Sequence, residues 1–253
     1  QPSRILFGEI ITVRGLLLLA DDGPQQIAVD GTLDFDGEQN FVLTAEEVDI
    51  GTFTDLADFG SLDGTLTTTL LLSGPAEAPL IDGEVTLDDL TSRGVLFGAL
   101  DAQVRYADGR LNLDATLAHV SGENLLISGY IPRQISLAGG TPETADAEGG
   151  VDLRLSAAAF PIAWAQPFLE SRGYTDIGGT LRADVRVQGT QANPRLSGSA
   201  LLTGGRLGVA ATGITYQPLT ADIGFEGDRI LLNDVRLTGD DGDTRLEVTG
   251  DVT

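Results

Sequence analysis

His119 is the only histidine in the chain, and cysteine is absent. One imidazole without thiolates cannot assemble the usual zinc set, and no Ser, His and Asp combination makes a convincing triad. His119 falls on the polar side of its strand or in the following turn, where an imidazole is simply solvated. Carboxylates abound, but Asp240-Asp-Gly-Asp243 and the run from Asp34 to Glu38 are turn sequences before they are calcium loops. There is no Gly-Gly-x-Gly-x-Asp nonapeptide array, which argues against a calcium-bound β-helix. The Gly-x-Gly and Gly-Gly pairs are expected at hairpin ends, not between a strand and a helix, so no nucleotide loop is implied. These residues point to no enzyme, no metal and no cofactor.

Composition narrows the function classes further. The 253 residues carry 38 acidic and 15 basic side chains, a net charge of −23. That field repels nucleic acid and anionic membrane surfaces, and it would keep a sheet with a large apolar face in solution. Acid-rich surfaces also occur in salt-adapted proteins. Thirty-three Gly and ten Pro suit a chain with many tight turns. No apolar run reaches the roughly 18 residues that a membrane-spanning helix needs. Methionine is absent, so a chain opening Gln1-Pro2-Ser3 is expected to be a piece of a longer precursor. No signal-peptide pattern is visible.

The elements that must position these side chains announce themselves by period two. In Gly179 to Gly189, Leu181, Ala183, Val185 and Val187 share one face and Arg182, Asp184, Arg186 and Gln188 the other. A helix would scatter the four apolar residues, whereas a strand aligns them. Leu100, Ala102, Val104 and Tyr106 alternate in the same way, as do Leu111, Leu113, Ala115 and Leu117. So do Val151, Leu153 and Leu155, then Leu219, Ala221, Ile223 and Phe225, and finally Leu246 and Val248. Leu66, Leu70 and Leu72, followed by Val85 and Leu87, complete the apolar set. Turns at Asp21-Asp-Gly-Pro24, Ala107-Asp-Gly109, Glu226-Gly-Asp228 and Asp240-Asp-Gly242 punctuate the runs. Short links between one-sided strands mean hairpins and antiparallel pairing, so the fold class is all-β.

Two segments match without a gap at an offset of 115 residues, Leu62-Asp-Gly-Thr-Leu66 with Ile177-Gly-Gly-Thr-Leu181. The offset holds through Pro79 with Pro194 and Gly83 with Gly198. Leu100 to Tyr106 then matches Leu219 to Phe225 at an offset of 119, and Phe41 to Ala45 parallels Leu153 to Ala157. The expected organisation is a tandem repeat. Residues 1–50 are the tail of a preceding unit and 51–137 one unit. Residues 138–150 are a flexible polar loop and 151–253 a second unit of one continuous sheet. Thr52 to Gly60 and Pro161 to Gly173 break the pattern and could form short helices or crossing segments. The single Trp, Trp164, is read as part of a plug on the sheet end.

The module Gly-Thr-Leu, alternation, then Gly-Thr-x-x-x-Pro-x-Leu-x-Gly runs from Gly179 to Gly198 and more loosely from Gly64 to Gly83. It resembles the repeats of the translocation and assembly module subunit (TamB) family, within the AsmA-like, bridge-like lipid transfer proteins. Pro218 to Gly250 also looks like that repeat, and the likeness covers nearly the whole chain. The resemblance implies a long sheet curled into an open apolar trough, a β-taco. It implies a periplasm-spanning protein of a diderm bacterium, anchored in the inner membrane. Such a protein would carry phospholipid along a hydrophobic groove to the outer membrane and support outer-membrane protein assembly. A TamA-like outer-membrane partner would be engaged through regions outside this segment.

Physical chemistry frames the same choice. About 16 strands at ~4.8 Å spacing would make a sheet roughly 75 Å long, with strands of about 7–9 residues. Its apolar faces must either close on each other as a sandwich or curl around something that is not protein. A wall of Leu, Val, Ile and Ala with few placed polar groups suits mobile acyl chains. Each CH₂ is worth about 0.8 kcal/mol anywhere on such a wall, so sliding changes little. The expected groove lining is the apolar set above. The alternative is an acidic structural or adhesive β-stalk, stabilised by calcium. A scaffold offering strand edges to nascent barrel proteins could coexist with the groove.

Overall fold

The structure is a computed structural model that describes residues 4–8, 10–21, 23–51, 62–92, 95–138, 150–170, 172–190, 193–240, 242 and 244–252. The pattern break at Thr52 to Gly60, and 139–149 of the expected loop, lie outside the described residues. Fifteen strands form among them: β1 (Arg4–Leu6), β2 (Ile10–Leu19), β3 (Gln26–Asp34), β4 (Glu38–Asp49), β5 (Leu62–Pro75), β6 (Leu80–Ser92), β7 (Val95–Ala107) and β8 (Arg110–His119). There follow β9 (Asn124–Pro132), β10 (Val151–Pro161), β11 (Tyr174–Gly189), β12 (Pro194–Val209), β13 (Ile214–Gly227), β14 (Arg229–Gly239) and β15 (Arg245–Val252). They hydrogen-bond in chain order as one antiparallel sheet, and the order does not close. Between β10 and β11 sit a 3₁₀ turn (Ile162–Ala165) and one five-residue helix, α1 (Gln166–Glu170).

Local sequence explains the connections. At the β7–β8 turn, Asp108 and Gly109 have φ of 50° and 69°, the two positive values a type I′ turn requires. Between β13 and β14, Glu226 faces Arg229 and Gly227 takes φ 72°, as the first central residue of a II′ turn does. Such turns match the right-handed strand twist, so neighbours pair without splaying.

The chain forms two compact units, residues 1–116 with 128–150, and residues 117–127 with 151–253. In the first, one end of the sheet is laced by backbone hydrogen bonds. Ala76 N–H donates to Gly37 O (2.8 Å), and Leu137 N–H donates to Ala76 O (2.7 Å). Tyr106 is 3% exposed, and its hydroxyl accepts the N–H of Ile135 at 2.9 Å. Arg133 N–H reaches Gly109 O at 2.8 Å, so the chain after β9 is strapped down along this end.

In the second unit the 3₁₀ turn and α1 pack on β11. Trp164 meets Phe160 edge-on at 6.5 Å, and Phe160 meets His119 at 6.0 Å. Phe160 and Ile177 are buried there, and Gln166 Oε1 accepts the N–H of Ile177 at 3.3 Å.

Extra residues recur in the even-numbered strands. Val13 and Leu16 of β2 face Gly31 and Val29, three residues against two. The same excess appears in β4 between Ala45 and Val48, in β6 between Leu87 and Leu90, and in β10 between Ala157 and Phe160. It recurs in β12 between Leu202 and Gly205, and in β14 between Leu232 and Val235. Gly15, Glu47, Asp89 and Gly204 occupy four of these bulges with φ between 50° and 58°. Each bulge bends its strand and raises the local twist while returning the next apolar residue to the same face.

Candidate functional site: an apolar sheet face

Cross-strand register sets which side chains share a face. In the first unit one row runs Leu16, Val29, Leu43, Leu70, Gly83, Val104 across β2 to β7. The neighbouring rows are Leu18, Ile27, Ala45, Thr68, Val85, Ala102 and Val48, Leu66, Leu87, Leu100. A further row joins Phe41, Leu72, Ile81 and Tyr106. The expected lining residues Leu66, Leu70, Leu72, Val85, Leu87, Leu100, Val104 and Tyr106 thus point the same way.

The second unit also has apolar rows. Leu155, Val185, Gly198, Phe225 and Ile230 form one row, and Leu153, Val187 and Leu196 another. Phe160, Leu181, Leu202, Ala221, Val235 and Val248 form a third, and Leu219, Leu237 and Leu246 a fourth. Val151 faces Gly189 beside them, and Ile223 faces Ala200 and Leu232. Leu111 and Leu113 on β8 are half-buried, while Leu117 is 7% exposed.

Most of these side chains are neither buried nor free. Leu66, Leu100, Val104, Val185, Ile223 and Phe225 are all half-buried. Tyr106 and Leu117 are buried, and Leu246 is 47% exposed. Strand side chains gain cover from cross-strand neighbours, but a face closed by a second layer would be buried well below this level.

The polar face of the second unit is an ion-pair ladder. Arg154 and Arg186 sit directly opposite one another, a like-charge pairing relieved on the diagonals. Arg154 Nη2 bonds Asp184 Oδ2 at 2.6 Å, and Arg186 Nη2 bonds Asp152 Oδ2 at 2.5 Å. The hydrogen bond from Arg186 holds the Asp152 carboxyl below its ordinary range, and that from Arg154 does the same for Asp184. Asp184 in turn raises Arg154, and Asp251 raises Arg229.

Other candidates resolve differently from expectation. Gly178-Gly179 and Gly204-Gly205 lie within β11 and β12, not at hairpin ends; a Cβ on Gly179 would come 2.7 Å from Gly205 Cα, and one on Gly205 2.8 Å from Leu219 O. With Arg206, Gln217 and Pro218 they line an open dent of about 440 Å³, and Arg206 Nη2 is committed to Asp176 Oδ1 at 2.9 Å. His119 is half-buried against Phe160, not merely solvated, and its Nδ1 accepts the N–H of Ser121 at 3.1 Å. Asp34 Oδ1 accepts Asp36 N–H at 3.1 Å, a turn bond. Among the described residues no three His, Asp or Glu side chains gather where a cation could sit. No helix among them is long and apolar enough to cross a membrane. No protein-family model, curated protein or solved structure matches this chain.

Proposed function

We propose that the apolar face carries lipid acyl chains, and that the chain is a segment of a TamB-like bridge moving phospholipid between inner and outer membranes. The observation that supports this is the set of largely apolar rows, with Thr68 the one polar side chain named in them, left half-exposed on each unit. On this reading the sheet is a tandem array curled into an open trough in the periplasm of a diderm bacterium. The full protein is anchored in the inner membrane and meets a TamA-like partner, in support of barrel assembly, through other regions. The rows offer hydrocarbon a nearly uniform wall, and moving one methylene along it exchanges equivalent contacts of about 0.8 kcal/mol. Glycines at Gly83 and Gly198 interrupt the rows without adding a polar side chain.

The test is lipid extraction and native mass spectrometry of purified protein, set against single Val104→Asp, Val185→Asp and Ile223→Asp variants. Circular dichroism must show that each variant is folded. Phospholipid on the parent and its loss from the folded variants supports the reading. A folded parent purified without lipid from a lipid-rich host sinks it and leaves the acidic stalk in the lead.

A further inference from the structure

The opposite face of the first unit is mostly polar; besides Leu6, Ile10 and Leu19 near its β1–β2 edge, it carries one apolar line that runs across several strands. Leu17 on β2 lies directly opposite Ala28 on β3, and Val42 on β4 directly opposite Leu71 on β5. Val42 is the diagonal neighbour of Ala28, whose direct partner is Thr44. Leu80 on β6 is the diagonal neighbour of Leu71, facing Ser73. These five side chains form a slanted apolar stripe over five strands. Around it the face carries Thr32, Thr44, Thr69 and Thr86 with Asp30, Glu46, Asp82, Glu84 and Asp101. Leu17, Leu71 and Leu80 are 48%, 45% and 45% exposed.

We propose that this stripe is a docking surface for a basic amphipathic helix of another protein. Its length fits: four strand spacings of ~4.8 Å and two diagonal steps of about 7 Å make roughly 23 Å, or ~15 helical residues. Its form fits as well, because the element that covers a sheet face with one apolar line is a helix.

Charge then selects the helix. Asp30 faces Val42 and Asp82 faces Leu71, so each carboxylate stands beside the stripe in the same register row. Arg105, directly opposite, already bonds Asp82 at 2.9 Å, but the first unit holds 24 acidic residues against 6 Arg, a net of −18, so its own cations cannot neutralise the rest of this face. A partner that desolvates the stripe must bring Lys or Arg to its flanks. A second copy of this chain, at −23, and an anionic bilayer are both repelled. Among the described residues the second unit offers no such stripe. On its polar face Leu201 lies between Arg182 and Asp222, and Leu231 between Gly224 and Asp251.

The experiment uses the full chain and a peptide of about 16 residues with Leu at i, i+4, i+7 and i+11 and Lys or Arg elsewhere. A scrambled peptide of the same composition has no apolar face. Binding is followed by fluorescence anisotropy at 50 and 500 mM salt, roughly the range over which exposed charges become screened. The patterned peptide should bind at least ~10-fold more tightly than the scrambled one. Val42→Thr, Leu71→Thr and Leu80→Thr together should remove that preference, with circular dichroism and the urea midpoint close to the parent's. Thr65→Ser, on the same face off the stripe, should leave it intact. Should the triple variant fail to fold, Leu80→Thr alone must weaken the patterned peptide and spare the scrambled one. Equal binding of both peptides, or a folded stripe variant that binds like the parent, overturns the proposal in favour of charge alone. A stripe-dependent dimer in sedimentation, or stripe-dependent binding to phosphatidylcholine vesicles, overturns it in favour of a second copy or a lipid surface.

Discussion

Phe41 faces Leu72 across β4 and β5, and Leu153 faces Val187 across β10 and β11. The likeness continues strand by strand. Leu43 with Leu70 matches Leu155 with Val185, and the bulge after Ala45 matches the bulge after Ala157. Leu66 with Leu87 and Leu70 with Gly83 match Leu181 with Leu202 and Val185 with Gly198. The next strand departs. Gly83 faces Val104 in β7, but Gly198 faces Phe225 in β13, two residues beyond Ile223, which aligns with Val104. A slip of one residue would turn every apolar side chain to the polar face, whereas a slip of two costs only local repacking. What the two regions share is therefore the face, and register is free to move in steps of two.

The largest expected effect separates glycines in matching places of the two regions. Gly198 has φ 111°, and a Cβ there would lie 2.0 Å from Asp184 O; at Gly31, with φ 125°, it would lie 2.0 Å from Asn40 O. At Gly83 the nearest atom is the mobile end of Leu70, 3.1 Å away. Gly198→Ala and Gly31→Ala should each cost more than ~4 kcal/mol in urea unfolding, or prevent folding. Gly83→Ala should stay within about 1 kcal/mol. Equal costs at Gly83 and Gly198 would mean that the two hairpins are held alike after all.

Leu90 and Gly205 occupy matching places just past their bulges. Leu90 is 8% exposed and packs its side chain beside Gly64, whereas a Cβ on Gly205 would meet Leu219 O at 2.8 Å. Leu90→Ala should therefore lose about 3 kcal/mol, and amide exchange in β5 to β7 should rise more than in β11 to β13. A loss below ~1 kcal/mol would show that Leu90 packs less closely than its burial indicates.

Strand faces were readable because period two holds along each run, and across β2 to β7 and β10 to β15 residues grouped by alternation fall in common register rows. Strand length was not readable in the same way. Strands of about 7–9 residues follow from uninterrupted alternation, yet β11 and β12 reach 16 residues by running through their bulges. The signal was present as a doubled polar residue between two core-facing ones: Ala45-Glu-Glu-Val48, Leu87-Asp-Asp-Leu90 and Leu232-Asn-Asp-Val235. Alternation alone would take such a pair for a strand end, because nothing local says that the pairing resumes. The strap after β9 was illegible for another reason. Tyr106 sits in the apolar rank, and only the return of Ile135 to its hydroxyl makes it an anchor.

Each unit closes one end by different means, a strap on Tyr106 in the first and the Trp164 turn with α1 in the second. Tyr106→Phe keeps the ring but strands the N–H of Ile135, so a loss of about 1–2 kcal/mol is expected. Hydrogen exchange should rise at 133–138 and stay unchanged at Phe160 to Ile177. Uniform loosening would make the strap part of the general cooperative unit.

The polar faces set the smallest effect and give it a sign. The second unit has 14 acidic residues against 9 Arg, a net of −5, and Asp152 and Asp184 pair with Arg186 and Arg154 in the open. Both carboxyls titrate below their unfolded value, because the arginine hydrogen bonds favour the charged form. Their contribution is therefore present above an unfolded pKa near 3.9 and disappears as pH falls through the lower folded value. Exposed pairs are weak and screened, so the acid-side decline of the second unit should be shallow and flatter still in 500 mM salt. Asp184→Asn should remove part of that decline without changing the stability of the first unit. In the first unit, at −18, added salt acts with the opposite sign, because it screens repulsion that no ladder of Arg relieves. Amide exchange at neutral pH should thus slow in β3 to β6 and quicken slightly in β10 and β11 as salt rises. A common direction in both would show that ladder and acidic face are screened alike.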